Sequence, residues 1–190
     1  YNLLGGQYHE ILRSYTYLYP DPKDKSRRSP FTDPEKAAES AKAHLDQGFK
    51  AIKLDPLIDV MGKEDPRETP IDRLQNGENV VRAVREAVGS RCDILIGTHG
   101  QTTTSSALRF ARRIEEFDPL WFEEPVPPEN VDEMAKIANR TTIPVATGER
   151  LSTKYEFRLL LEKQAAAILQ MALGRVGGIL EAKKIAGMAE

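Results

Sequence analysis

Apolar positions in this chain come in short runs, each cut off by glycine, proline or charge and each followed by a stretch with helical spacing. Phe49–Leu54, Asp93–Gly97, Leu120–Glu123, Ile143–Thr147 and Ala166–Gln170 are runs of four to six residues, the length and content of buried strands. An earlier run, Arg13–Tyr19, is aromatic and ends at Pro20, which suits a first strand. Between the runs lie helical patterns. Asp33-Pro34-Glu35 is a helix start, with a capping side chain, a proline in the first turn and an acid facing the helix dipole; that helix should reach Gln47 and stop at Gly48. Val80, Val81, Val84 and Val88 lie on one helical face closed by Gly89, and Leu108, Ala111, Ile114 and Phe117 mark the next. Further helices are expected near 129–139, near 153–163, and after Gly177-Gly178, the last still running at Glu190. Residues 20–31 read as loop, and residues 56–70 as a long charged loop of the kind that is usually functional.

Strand and helix therefore alternate, and Gly97, Glu123 and Glu149 stand at equal intervals, each just past or at the end of an apolar run. That rhythm predicts an α/β fold with parallel strands and right-handed crossovers. A doubly wound sheet is one solution. A (β/α)8 TIM-type barrel fits better, because its chemistry gathers at the carboxyl ends of many successive strands. Six strands can be counted, and a full barrel usually takes about 250 residues. The expectation is thus one domain over residues 1–190 that forms an incomplete portion of a barrel, with two more strands lying outside this sequence.

Composition narrows the function classes. The chain has 190 residues, is 40% hydrophobic and 29% charged, and carries a formal net charge of −2, so it has no basic field for nucleic acid. There is a single cysteine, Cys92, which fits a reducing compartment. No apolar run approaches the roughly 18 residues needed to span a membrane, and no signal-peptide pattern is present. A cytoplasmic enzyme with no nucleic-acid or membrane partner is expected.

The chemistry concentrates at the strand ends. Glu123 leaves the run Leu120–Phe122 just before Pro125, and Glu149 follows Ile143–Gly148. A carboxylate at the end of a buried strand is costly unless it meets a cation or a proton. Two at matched strand exits point to a shared metal ion, with hard oxygen ligands favouring Mg2+; the alternative is that each caps a helix or pairs with Arg150 or Lys154. Lys53 and Asp55 lie two apart and so share a face. Lys53 can act as a base, bind a substrate carboxylate, or make an ordinary salt bridge; Asp55 can be a turn residue ahead of Pro56. His99 sits two residues past the third strand, where it can be a general acid or base or a structural hydrogen-bonding residue. Arg150 can bind an anionic group bidentately or neutralise a glutamate, and Glu124 can support the metal site or pair with a lysine. His44 falls inside an amphipathic helix, is expected to face solvent, and is given no role. Gly174–Gly178 ahead of the last helix can hold an anion or make a tight turn.

Taken together, Gly48–Lys53, Thr98-His99-Gly100, Trp121–Pro125, Ala146–Arg150 and Val176–Ile179 leading into Glu181–Ala186 resemble the enolase superfamily, in its mandelate racemase/muconate lactonizing enzyme branch, and within it the galactonate dehydratase type of sugar-acid dehydratase. The resemblance spans roughly residues 48–190. It implies a modified barrel with an α+β capping domain drawn mostly from an N-terminal region that is not in this chain. It also implies Mg2+ bound with a substrate carboxylate, a base that removes the α-proton, and an acid that expels the β-hydroxyl of a small acid sugar, giving a 2-keto-3-deoxy acid; family members commonly form homo-oligomers. On that resemblance His99 matches the acid, and Glu123 and Glu149 match the second and third metal ligands; from their own positions Lys53 is the second catalytic candidate, and Arg150 and Glu124 are candidates for substrate contact. Three positions depart from the pattern. Gly97 stands where the first ligand is expected, Ala172 where an acid on the sixth strand often supports a base, and Asp55 where a second lysine is expected. Asp55 is then a candidate for the missing metal contact. The seventh-strand histidine base would lie beyond Glu190. A racemase, epimerase or cycloisomerase of the same superfamily, and a non-catalytic relative, are the other readings.

Overall fold

The computed structural model describes residues 4–23, 28–58 and 69–190. Six strands alternate with six helices: β1 (Thr16–Tyr17), α1 (Pro34–Asp46), β2 (Ala51–Leu54), α2 (Ile71–Val88), β3 (Asp93–Gly97), α3 (Thr104–Ile114), β4 (Trp121–Glu123), α4 (Val131–Ala138), β5 (Val145–Thr147), α5 (Lys154–Glu162), β6 (Ile168–Leu169) and α6 (Ile179–Ala189). The strands form one sheet in sequence order, and every neighbouring pair is parallel. Unbroken sequence order distinguishes this from a doubly wound sheet, in which the order reverses at a switch point. It is a portion of a (β/α)8-type barrel.

The two faces of the sheet differ. Ile52 and Leu54 of β2, Ile94 and Ile96 of β3, Phe122 of β4 and Val145 of β5 are buried against helix residues such as Ala41, Val80, Val84, Phe110, Ala111 and Met134, forming one continuous core. The alternate residues point the other way. Tyr17, Lys53, Leu95 and Trp121 fall in one register across β1–β4, and one step on, Gly97 lies beside Glu123. This face carries the polar side chains, so the apolar layer fixes the strands and leaves the inner layer to chemistry.

Side-chain caps set most helix starts. Asp33 accepts from the Lys36 N–H at the start of α1, Thr103 from Ser106 at α3, and Asn130 from Glu133 at α4. Thr153 and Glu156 form a reciprocal capping box at α5. α2 and α6 start without a side-chain cap, with Pro70 and Gly178 at their N-cap positions. α2 begins at Ile71, nine residues before the first of the valines that mark its buried face, and Leu74 is buried with them.

Several expected boundaries shift inward. The first strand pairs only at Thr16 and Tyr17 rather than across Arg13–Tyr19, because β2 offers only Ile52 and Lys53 as partners there. The second, fifth and sixth strands are likewise shorter than their apolar runs. The proposed long loop at 56–70 lies mostly outside the described residues. His44 is half-buried rather than solvent-facing: its Nδ1 donates to the Ser40 carbonyl at 2.8 Å and its ring lies 6.0 Å from that of Phe49. No helix among the described residues is long and apolar enough to cross a membrane.

Candidate active site

The carboxyl ends of β2 to β5 deliver the charged side chains to one region. Glu123 is the best-connected carboxylate there. Lys53 Nζ donates to its Oε1 at 2.5 Å, while Trp121 Nε1 and Gln170 Nε2 donate to Oε2 at 3.1 and 2.8 Å. Lys53 and Glu123 are both buried. Burial drags the Lys53 ammonium down, but the charge and hydrogen bond of Glu123 outweigh it and hold its pKa above the ordinary lysine value. Lys53 therefore stands here as a cation, the form that binds a carboxylate, rather than as a free base. Its ammonium also lies 5.4 Å from the centre of the Tyr17 ring.

Asp55, two residues further along the same face, is 1% exposed. His99 Nδ1 lies 2.5 Å from its Oδ2 in an ion-pair contact. Burial, the Asp55 charge and the hydrogen bond that the Tyr17 hydroxyl donates to Asp55 push the Tyr17 pKa far up. Gly97 explains how the carboxylate fits: a Cβ built on Gly97 would stand 2.0 Å from Asp55 Oδ1 and 3.1 Å from Lys53 Cε. Any side chain at 97 would collide with Asp55.

His99 has φ 48° and Glu124 φ 42°, both in the left-handed region, which costs a non-glycine residue of order 1–3 kcal/mol. Three contacts hold the turn. The Thr98 hydroxyl donates to the Glu123 and Glu124 carbonyls, Gly100 N–H donates to the Glu124 carbonyl at 2.7 Å, and Arg150 Nη2 donates to the His99 carbonyl at 3.0 Å. Arg150 reaches that point from beyond β5 through the gap over Gly100, where a Cβ would stand 2.4 Å from its Nη2. On the way its Nε donates to Glu124 Oε2 at 2.8 Å. Glu124 is completely buried, and burial raises its carboxyl above the ordinary value even against the Arg150 charge. Both residues were candidates for substrate contact. The structure turns Glu124 inward onto Arg150, and only Arg150 is exposed.

Glu149 is not at the strand end itself. β5 stops at Thr147, and Glu149 follows Gly148, whose φ of 128° suits only glycine. Glu149 is half-buried and makes no side-chain hydrogen bond or ion pair among the described residues. Its charge, with that of Glu123, adds to the burial that lifts the Tyr15 hydroxyl, whose ring packs edge-on to Trp121 with centroids 5.4 Å apart. Lys154, the other candidate partner of Glu149, pairs instead with Glu181 at 3.7 Å.

Among the described residues no three His, Cys, Asp or Glu side chains come close enough together to hold a metal ion. Asp55, Glu123 and Glu149 are hard oxygen donors that end or follow β2, β4 and β5, the donor type that Mg2+ takes. Sequence reasoning missed Gln170, Trp121 and Tyr17 as partners of these acids. Trp121 was within reach, since it stands two before Glu123 and so shares its face. Gln170 was not, because nothing local marks it as a donor to β4.

A family model described as enolase C-terminal domain-like matches residues 36–190. A D-xylonate dehydratase of Haloferax volcanii is 38% identical over 197 residues that take in 100% of this chain and 45% of that protein. A D-gluconate/D-galactonate dehydratase of Picrophilus torridus is 33% identical, again over 100% of this chain and 45% of that one. Among solved structures, a mandelate racemase/muconate lactonizing enzyme from Sulfitobacter sp. superposes with a TM-score of 0.90 at 49% identity, covering 98% of this chain and 47% of that one. The chain spans about half the length of the relatives it matches. Its parallel strand order, its polar inner face and these matches agree: the chain belongs to the enolase C-terminal domain-like family, in the mandelate racemase/muconate lactonizing enzyme branch.

Proposed function

We propose that the protein is a Mg2+-dependent acid-sugar dehydratase that converts an aldonate to a 2-keto-3-deoxy acid. The observation that carries this reading is the meeting of the Lys53–Glu123 and Asp55–His99 pairs at the carboxyl ends of β2, β3 and β4, in a family whose relatives above are named as sugar-acid dehydratases. Glu123 and Glu149 would hold the metal with a further carboxylate at the same mouth. When bound, Mg2+ supplies positive charge that offsets the negative charge growing on the substrate carboxylate as the α-proton leaves.

The chain's own residues do the rest. Lys53 presents an ammonium beside Glu123, where it can hold a substrate oxygen and stabilise the same developing charge. His99 is oriented through Nδ1 by Asp55, leaving Nε2 to give a proton to the departing β-hydroxyl. The α C–H and β C–O bonds break, one water leaves with the proton from His99, and the resulting enol becomes the ketone. The family resemblance assigns the α-proton to a base beyond residue 190. Arg150 closes the turn that carries His99, with its exposed edge available to an anionic substrate.

A panel of aldonates, including D-xylonate, D-gluconate and D-galactonate, assayed for 2-keto acid release with and without Mg2+ tests this. Release from at least one substrate, abolished by EDTA and restored by Mg2+, is expected. Turnover that ignores the metal would defeat the reading, as would racemisation without loss of water.

A further inference from the structure

The His99 ring is held from one side only. Its side chain is 39% exposed, and among the described residues that side chain's one polar contact is Nδ1 on Asp55 Oδ2, at 2.5 Å. The turn that carries His99 fixes its backbone, while the ring can still rotate about its side-chain bonds. Where the ring points therefore depends on where the Asp55 carboxylate points. Asp55 is 1% exposed, and the Tyr17 hydroxyl of β1 donates a hydrogen bond to it.

Tyr17 is itself firmly placed. It pairs with Lys53 in the register of β1 and β2, and so stands on the inner face. Tyr19 stacks on its ring with centroids 4.5 Å apart and planes at 17°, Phe31 meets it edge-on at 5.6 Å, and the Lys53 ammonium lies 5.4 Å from its centre. The Tyr19 N–H donates to the Tyr17 carbonyl at 2.9 Å, a tight turn at the strand end that brings the two rings together. A ring held on three sides fixes the direction of its hydroxyl.

We propose that Tyr17 is a positioning residue for the acid: its hydroxyl fixes the plane of the Asp55 carboxylate, and the carboxylate holds His99 by Nδ1 with Nε2 turned to the substrate. The inference rests on the dehydratase reading for the role of His99, and it brings the first strand into the site. When His99 gives up its Nε2 proton, the neutral ring that remains carries its proton on Nδ1. A carboxylate held on Nδ1 favours that form, so the fixed aspartate supports the ring both before and after it acts. Tyr17 itself gains and loses no proton.

The test reads the ring directly. With 15N-labelled histidine, the imidazole chemical shifts of a neutral ring report which nitrogen carries the proton. The sequence has three histidines, and a His99→Asn variant assigns the signal. In alkaline buffer the unaltered protein should show His99 as the Nδ1–H tautomer. Tyr17→Phe keeps the packed ring, removes only the hydroxyl, and should shift part of the population to Nε2–H. Asp55→Asn should shift it further, and Tyr17→Phe added to Asp55→Asn should change nothing more. On whichever of D-xylonate, D-gluconate and D-galactonate the protein dehydrates, Tyr17→Phe should lower kcat about tenfold with KM nearly unchanged. An unchanged tautomer in Tyr17→Phe overturns the inference, and so does a loss confined to KM, which would place Tyr17 in substrate binding. A further shift in the double variant overturns the route through Asp55. If Tyr17→Phe unfolds by circular dichroism, the hydroxyl is structural and the inference also falls. If the unaltered protein dehydrates none of the three aldonates, the dehydratase reading falls, while the spectra still decide whether Tyr17 sets the ring.

Discussion

Two carboxylates at the same mouth, Glu123 and Asp55, are buried to nearly the same degree and treated in opposite ways. Glu123 has a lysine on one oxygen and a tryptophan and a glutamine on the other. Asp55 meets no lysine or arginine at close range, only the His99 ring in an ion-pair contact and the Tyr17 hydroxyl. The first arrangement is complete without a ligand and is part of what holds the inner face together. The contrast assigns the closure of the inner face to Glu123, which Lys53 neutralises, and the orientation of the His99 ring to Asp55.

The contrast gives a ranked set of expectations for the metal-free protein. Glu123→Gln leaves the Lys53 ammonium buried without its counter-charge, and urea unfolding should report a loss of about 3–5 kcal/mol. A loss below about 1 kcal/mol would mean that Lys53 is solvated and the pair is not buried in effect. Gly97→Ala overfills the space held by Asp55 Oδ1 and should cost about 1–3 kcal/mol; no change would mean that Asp55 moves aside freely. Thr153→Ala, far from the acids, removes the capping box of α5 and should cost about 1 kcal/mol with little effect on metal binding. Asp55→Asn should change stability by less than about 1 kcal/mol, since it removes a charge that no lysine or arginine meets at close range. A loss as large as that of Glu123→Gln would erase the difference between the two acids.

Acid sensitivity should come from carboxylates outside the mouth. Burial pushes Glu115 up, but the N–H of Thr142 and the Thr141 hydroxyl outweigh it and hold its pKa below the ordinary value. Asp33 is held down chiefly by Arg28. A carboxylate with a lowered folded pKa contributes stability that is fully present above its unfolded pKa, about 4, and is lost as pH falls through the folded value. Stability measured from pH 6 downward should therefore fall below about pH 4, and Glu115→Gln should flatten that fall. An unchanged slope would show that the Thr141–Thr142 contacts do not form in solution.

The alternation of elements was readable because burial leaves a plain pattern. β3 was recoverable residue for residue, since four consecutive inner and outer positions, Ile94 to Gly97, are all buried. Strand lengths elsewhere were not, because a parallel strand ends where its neighbour stops offering partners, and neighbours are a whole helix away in sequence. The acids at the mouth were legible as types at strand ends. Their partners were not. The pairing of Arg150 with Glu124 competes in sequence with Arg150 and Glu149, which are adjacent, and only the left-handed turn at Glu124 decides it. The exclusion between Gly97 and Asp55 is a matter of volume between two strands, and a glycine by itself gives no sign of what fills its space.

Diffraction from crystals soaked in Mn2+, with anomalous difference maps, tests the account most directly. The account predicts one strong peak at the carboxyl ends of β2 to β5, within bonding distance of Glu123 and Glu149. A peak away from both glutamates, or no peak while Lys53 stays on Glu123 at saturating Mn2+, would contradict it.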